Sequence, residues 1–342
     1  MVARICLYAL MALLWGCERQ PTQPGGSDAA TQPAGAVAAS GPTEAGLRIA
    51  VIPKGTTHDF WKSVHAGALK VERELASVEI IFRGPEKEDD REQQISLVQN
   101  FISSRVDAIV LAPLDDKALL PAVQQATAAR IPVVIIDSSL AGEVGKDFIS
   151  YAATNNYQGG QLGGRRLAEV LDGKGRVLLL RYQEGSASTV QRERGFVETI
   201  AEFPGIELID PKRYAGPTRA TAQEAAENLL TVHDDVQGIF CPNESSTFGM
   251  LLAVRSRGLA GKVRFVGFDA SPGLVEALST GELDGLVVQN PLKMGYVGVK
   301  TAVDYLQGKP VEPLQDTGVV LVTRQTMDEP EYKELLSPDR SK

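Results

Sequence analysis

The sequence predicts an α/β protein made of two similarly built lobes, each around a parallel sheet. Three observations carry that reading. Short β-branched runs alternate with helical runs at close to the period of a βαβ unit, which implies parallel strands with right-handed crossovers. The alternating series occurs twice. A chain of 342 residues that is 43% hydrophobic and 23% charged is long enough for two domains and apolar enough to bury a core in each.

Residues 1–17 precede the series and read as a targeting segment. Arg4 supplies a positive charge, and Ile5 to Leu14 form an apolar run. That run is far short of the ~20 residues a spanning helix needs. It ends in Leu14-Trp15-Gly16-Cys17, similar to a bacterial lipoprotein cleavage signal in which Cys17 becomes the lipid-bearing first residue, although Trp15 stands where that signal has a small residue. The plainer alternative is a conventional cleaved signal with an incidental cysteine. Residues 18–46 are Pro, Gln, Thr, Gly, Ser and Ala with almost no large apolar side chain, so they form a linker that cannot bury enough surface to fold. As a coil it reaches on the order of 30 Å.

The first strand is the apolar run of Leu47, Ile49, Val51 and Ile52, ended by Pro53. A polar loop, 54–59, leads into a helix whose Phe60, Val64, Ala68 and Val71 fall near helical spacing. Strands are then expected at 78–82, 108–111, 133–136 and 148–152, with helices at about 91–104 and 118–129. The second series predicts strands at 176–180, 206–209, 238–241, 263–268 and 286–289. Its helices fall at about 157–171, 189–202, 220–232 and 248–257. Residue pattern alone places one boundary near 153.

Candidate functional residues stand at strand ends and helix starts, where an open α/β sheet forms its ligand crevice. Phe60 and Trp61 open the first helix; they either cap the core or cover the C–H face of a small polyol. Asp137, Asn243, Asp269 and Gln289 follow or end apolar strands, and Arg192 lies near a helix start. An Asn243 or Asp269 taken alone is more simply a helix cap. Taken together, two carboxylates, one guanidinium and two amides match sugar hydroxyls, which both donate and accept. With two carboxylates and one cation, the set favours a neutral ligand over a phosphate.

These residues resemble the ribose-binding family of periplasmic sugar-binding proteins over about residues 47–323. The match rests on the strand, loop and Phe60-Trp61 pair followed by His65-Ala66-Gly67-Ala68, the R-x-x-G-F run at Arg192, Asn243 after its strand, the V-G-F-D run ending at Asp269, and Gln289. His58, Phe60 and Trp61 match the polar and aromatic trio after the first strand, and Asp137 the acidic residue closing the fourth. The resemblance implies a type I periplasmic binding protein fold, with Rossmann-like lobes of residues 47–153 plus 290–317 and 154–289 plus 318–342. It implies a three-stranded hinge at 153–155, 289–291 and 316–318, after which a strand at 319–322 returns to the second lobe. Two departures bear on the ligand: Ser138 stands where ribose binders have an Arg, and Ala112 where they have an Asn. Pro217 falls near an aromatic position. A hexose or deoxy sugar therefore fits better than ribose, with Ser138 still counted in the site.

The function the resemblance implies is capture of a neutral monosaccharide outside the cytoplasm by a monomer, closure of the lobes, and delivery to the membrane permease of an ABC importer. A sensory protein presenting its closed form to a chemoreceptor or sensor kinase would have the same pocket. A sugar-responsive transcription factor needs an N-terminal helix-turn-helix where residues 1–46 give a signal and linker. A net charge of -8 also argues against a nucleic-acid partner. No acid, base and nucleophile set is found, so no enzymatic activity is expected. Three cysteines, at 6, 17 and 241, make no disulfide framework, and Cys241 reads as a small buried residue. His58, His65 and His233 lack metal-ligand spacing, and the glycine-rich run 159–164 lacks dinucleotide spacing and reads as close helix packing. No metal or cofactor is therefore expected.

Overall fold

The structure, a computed structural model, describes residues 46–337. In chain order they form β1 (Leu47–Ile52), α1 (Asp59–Glu74), β2 (Val78–Phe82), α2 (Arg91–Ser103), β3 (Ala108–Leu111), α3 (Leu120–Ala128), β4 (Val133–Ile136) and β5 (Ser150–Ala153). There follow α4 (Asn156–Val170), β6 (Lys174–Leu179), α5 (Ala187–Ile200), β7 (Gly205–Ile209), α6 (Arg219–Val232), β8 (Gly238–Phe240), α7 (Glu244–Ser256), β9 (Arg264–Phe268), α8 (Pro272–Thr280) and β10 (Gly285–Gln289). The last elements are α9 (Pro291–Leu306), β11 (Leu314–Asp316), β12 (Val319–Val322) and α10 (Pro330–Leu336).

Two six-stranded sheets result, in the orders β11-β5-β4-β3-β1-β2 and β12-β10-β9-β8-β6-β7. The α/β class and the paired architecture are therefore those the sequence predicts. The five-strand cores of the two sheets have the same order. They differ at one edge: β11 runs parallel to β5, whereas β12 runs antiparallel to β10. The chain passes between the sheets three times, after β5, after β10 and after β11.

Alternation along β1 shows how each sheet is buried on both faces. Ile49 and Val51 enter one apolar cluster with Val64, Ala68 and Val299, while Ala50 and Ile52 enter another with Val98 and Leu119. All four strand residues are wholly buried, and each large one contributes about 1.5–3 kcal/mol. Val177 and Leu178 divide the second sheet's two clusters in the same way.

Helix pairs pack on one face of each sheet through glycine. A Cβ on Gly160 of α4 would lie 1.9 Å from the Arg192 carbonyl oxygen of α5, and one on Gly295 of α9 would lie 2.0 Å from the Val64 oxygen of α1. Gly159, Gly160, Gly163 and Gly164 are all buried in α4, so the glycine-rich run serves close helix packing.

Most expected elements start and stop within a residue or two of those observed. The exceptions have local causes. Phe148 makes only an isolated bridge with Val144 across the turn at 145–147, its carbonyl accepting from Gly145 N at 2.7 Å, so β5 starts only at Ser150. Helix α7 begins at Glu244, not near 248, because Asn243 and Ser246 form a reciprocal cap. β11 and helices α8, α9 and α10 are additional to the expected set. β11 is a short, largely exposed edge strand with no apolar alternation, and α9 buries Met294, Val299, Ala302 and Val303 against the first sheet. The expected signal segment, the linker and Cys17 lie outside the described residues. Among the described residues no helix is long and apolar enough to cross a membrane.

Candidate functional site

The carboxyl ends of both sheets face one cavity. Lys54, His58, Phe60, Trp61, Glu88 and Asp137 line it from the first-sheet half. Tyr182, Arg192, Asn243, Glu244, Asp269 and Gln289 line it from the second, with Ser186, Ser188 and Thr189. Eight of the nine expected site residues thus converge. Ser138 is not in the lining: its hydroxyl accepts from Lys54 Nζ at 2.5 Å and bonds Ser188 Oγ at 2.8 Å, one layer back. Ala112 is buried in the core beneath, and Pro217 is likewise absent from the lining.

The two aspartates occupy matching places. Asp137 follows β4 and Asp269 follows β9, and both adopt left-handed backbone, with φ of 61° and 69°. Their N–H groups donate to the neighbouring strand, Asp137 to Ala152 O at 3.2 Å and Asp269 to Val287 O at 2.8 Å. Such a conformation costs roughly 1–2 kcal/mol outside glycine, least for Asp and Asn.

The charges are paired within the protein. Lys54 Nζ lies 2.7 Å from Asp137 Oδ2, and both side chains are buried. His58 Nδ1 lies 2.7 Å from Glu88 Oε1. Burial alone would push His58 down, but the charge and hydrogen bond of Glu88 raise it to about 9. Burial likewise opposes ionisation of Glu88, yet His58, Lys54 and Trp61 hold it down at about 2. Glu244 pairs with Arg219, which also reaches Asp59 at 3.6 Å.

Asp269 differs, since its burial outweighs Arg192 and Gln289 and raises it to about 6. Its Oδ1 accepts from Gln289 Nε2 at 2.6 Å and its Oδ2 from Glu244 N at 3.0 Å. It therefore caps α7 from the neighbouring strand. Asn243 is the formal cap of that helix, its Oδ1 accepting from Ser246 N at 3.3 Å. For both residues the cap and the cavity-lining position coexist. Arg192 donates to Asn156 Oδ1 at 2.8 Å and Pro242 O at 3.0 Å, with its guanidinium 4.1 Å over the Phe268 ring. Phe60 and Trp61 meet edge to face, centroids 4.9 Å apart.

The expectation of one cation and two carboxylates needs correcting. Lys54 and His58 add two cations, and Glu88 and Glu244 two carboxylates. Glu88 lies in a loop with Glu86, Asp89 and Asp90, and no periodicity distinguishes it from them. Lys54 follows β1 and Pro53, in what the sequence pattern marks only as a polar loop; its place at the carboxyl end of a strand is the available signal.

Residues 49–310 match the periplasmic binding protein domain family, and the chain belongs to that family. Within it the chain groups with the ribose-binding proteins. It is 31% identical to a D-ribose/D-allose-binding protein of Pseudomonas aeruginosa, over 81% of this chain and 88% of that one. It is 28% identical to the ribose import binding protein of Escherichia coli, over 81% and 90%. Among solved structures, an ABC transporter solute-binding protein from Agrobacterium vitis with bound D-fucose shares 37% identity at a TM-score of 0.82, covering 84% of this chain and 99% of that one. A carbohydrate transporter solute-binding protein from Agrobacterium radiobacter in complex with D-arabinose shares 32% at 0.81, covering 85% and 99%.

Proposed function

We propose that this protein captures a neutral monosaccharide in the cavity between its two halves and delivers it to an ABC importer outside the cytoplasm. The observation that carries the reading is charge pairing within the cavity. Lys54 is matched by Asp137, His58 by Glu88 and Glu244 by Arg219, while Arg192 opposes Asp269. Among the described lining residues no cation is left over for a phosphate or carboxylate, and burying an unpaired ligand charge is costly. Arg192, Asn243, Asp269, Asp137 and Gln289 supply donors and acceptors for hydroxyls, and Phe60 with Trp61 supplies an apolar wall.

The mechanism is hinge closure, the ligand-driven domain movement that periplasmic binding proteins exemplify as a class. The lobes that move are residues 47–153 plus 290–317 and 154–289 plus 318–342. Relatives that bind D-ribose and D-allose, D-fucose or D-arabinose support the sugar class, and their descriptions as binding proteins support a role without catalysis. The protein acts as a monomer held to a membrane through lipidated Cys17. Native mass spectrometry of freshly purified protein tests the ligand class: a retained mass equal to a neutral monosaccharide supports it, and a retained sugar phosphate or sugar acid refutes it.

A further inference from the structure

Glu88 lines the cavity, yet both of its carboxylate oxygens are engaged by protein groups. Oε1 lies 2.7 Å from His58 Nδ1 and accepts from Trp61 Nε1 at 2.6 Å. Oε2 accepts from the Tyr182 hydroxyl at 2.8 Å. His58 and Trp61 belong to the loop and helix after β1, whereas Tyr182 follows β6 in the opposite half. The three donors therefore reach one buried carboxylate from both sides of the cleft.

Chemistry assigns this cluster a task other than touching ligand. A carboxylate is tolerated in the interior only when its lone pairs are satisfied, and here Tyr182 completes the set. A hydrogen bond to the indole N–H fixes the plane of the Trp61 ring, which is the surface a sugar ring would stack on. A contact at His58 Nδ1 leaves Nε2 as the imidazole's other donor. The charged groups facing His58 are Glu88, Glu244 and Arg219, with Asp59 next in the chain, so negative charge predominates around it. A charged imidazolium donates the stronger kind of hydrogen bond.

We propose that Glu88 is the positioning residue of the sugar site, holding Trp61 and His58 in their binding orientation, and that its bond from Tyr182 ties that orientation to closure of the cleft. This rests on the sugar-binding reading above, but one arm of its test does not.

The experiment compares wild type, Glu88→Gln and Tyr182→Phe by calorimetry with D-fucose, D-ribose and D-allose, and by NMR titration of the histidine ring protons, with His58→Asn providing the assignment. Thermal melts confirm that each variant is folded. Wild-type affinity is expected to stay within about twofold from pH 6.5 to 8, where His58 remains charged. Glu88→Gln is expected to return the His58 titration toward its ordinary range and to bind about fivefold more weakly at pH 8 than at pH 6.5. Tyr182→Phe keeps the ring but removes the cross-cleft bond. It is expected to weaken binding about tenfold, mostly through faster dissociation, as interface mutations usually do.

An unmoved His58 titration in Glu88→Gln overturns the inference, whether or not sugar binds. So does a folded Tyr182→Phe that binds sugar as wild type does. If wild type binds none of the three sugars, the functional reading fails, and the His58 titration alone decides whether Glu88 controls that ring.

Discussion

The hydroxyl of Thr154 donates to Gln289 Oε1 at 2.8 Å, joining the first passage between the sheets to the last residue of β10. The other end of the same side chain, Gln289 Nε2, donates to Asp269 at 2.6 Å. Thr154 also lies 3.5 Å from Thr317 in the third passage. One amide thus connects the three passages to a cavity carboxylate.

Gln289→Leu breaks both bonds while keeping the volume. It leaves the Thr154 hydroxyl and an Asp269 oxygen buried without these partners, a cost of about 1–3 kcal/mol. Thermal denaturation is expected to show that loss, and calorimetry a weaker sugar affinity. A variant equal to wild type in both would show that the amide links nothing.

Asp269 gives the cavity a pH dependence. Its carboxylate ionises near pH 6, because burial raises it against the pull of Arg192 and Gln289. Sugar hydroxyls donate to the ionised form and so lower that value in the complex. Binding near pH 6 should therefore release protons, and affinity should fall as pH drops below 6 and level off above it. Calorimetry in two buffers of different ionisation enthalpy reads the proton release directly. Proton uptake at pH 6 would reverse the assigned role. For folding the sign is opposite: a raised acid favours the native state below its unfolded value near 3.8 and loses that advantage as pH rises through 6.

Helix packing reaches the site through Gly160. Its added Cβ would collide with the backbone carbonyl of Arg192, so Gly160→Ala must push α5 away from α4. The expected cost is about 1–3 kcal/mol in stability. Because Arg192 moves with its backbone, calorimetry should show a weaker sugar affinity as well. Unchanged affinity in a destabilised variant would mean that the position of Arg192 does not matter to binding.

The amino terminus makes a separate prediction. Mass analysis of mature protein should find a lipid-modified chain beginning at Cys17. An unmodified start beyond Cys17 would reject the anchor, and an intact Met1 would reject cleavage.

Legibility in the sequence differs residue by residue. Strands such as β1 and β4 are plain, since runs like Val133-Val134-Ile135-Ile136 have one stable use in a doubly covered sheet. Asp137, Asp269 and Gln289 can be found because each ends or follows such a strand. Glu88 cannot, because its burial comes from three donors distant in sequence and not from any local pattern. Ser138 misleads in the opposite way: its position is right, but a hydroxyl that short is taken by Lys54 and Ser188 before it reaches the cavity. The edge strand β11 is invisible because its pairing with β5, not its own apolarity, makes it a strand.

The proposed function turns on an uncharged sugar ring occupying the cavity. Titration calorimetry with a panel of neutral pentoses, hexoses and deoxyhexoses against sugar acids and sugar phosphates, each also run on Arg192→Ala, tests it most directly. The predicted result is binding confined to one or a few neutral sugars and a loss of about 2–5 kcal/mol in the variant, from breaking a buried charged contact. Binding confined to the phosphates or acids, or an Arg192→Ala protein with wild-type affinity, would contradict it.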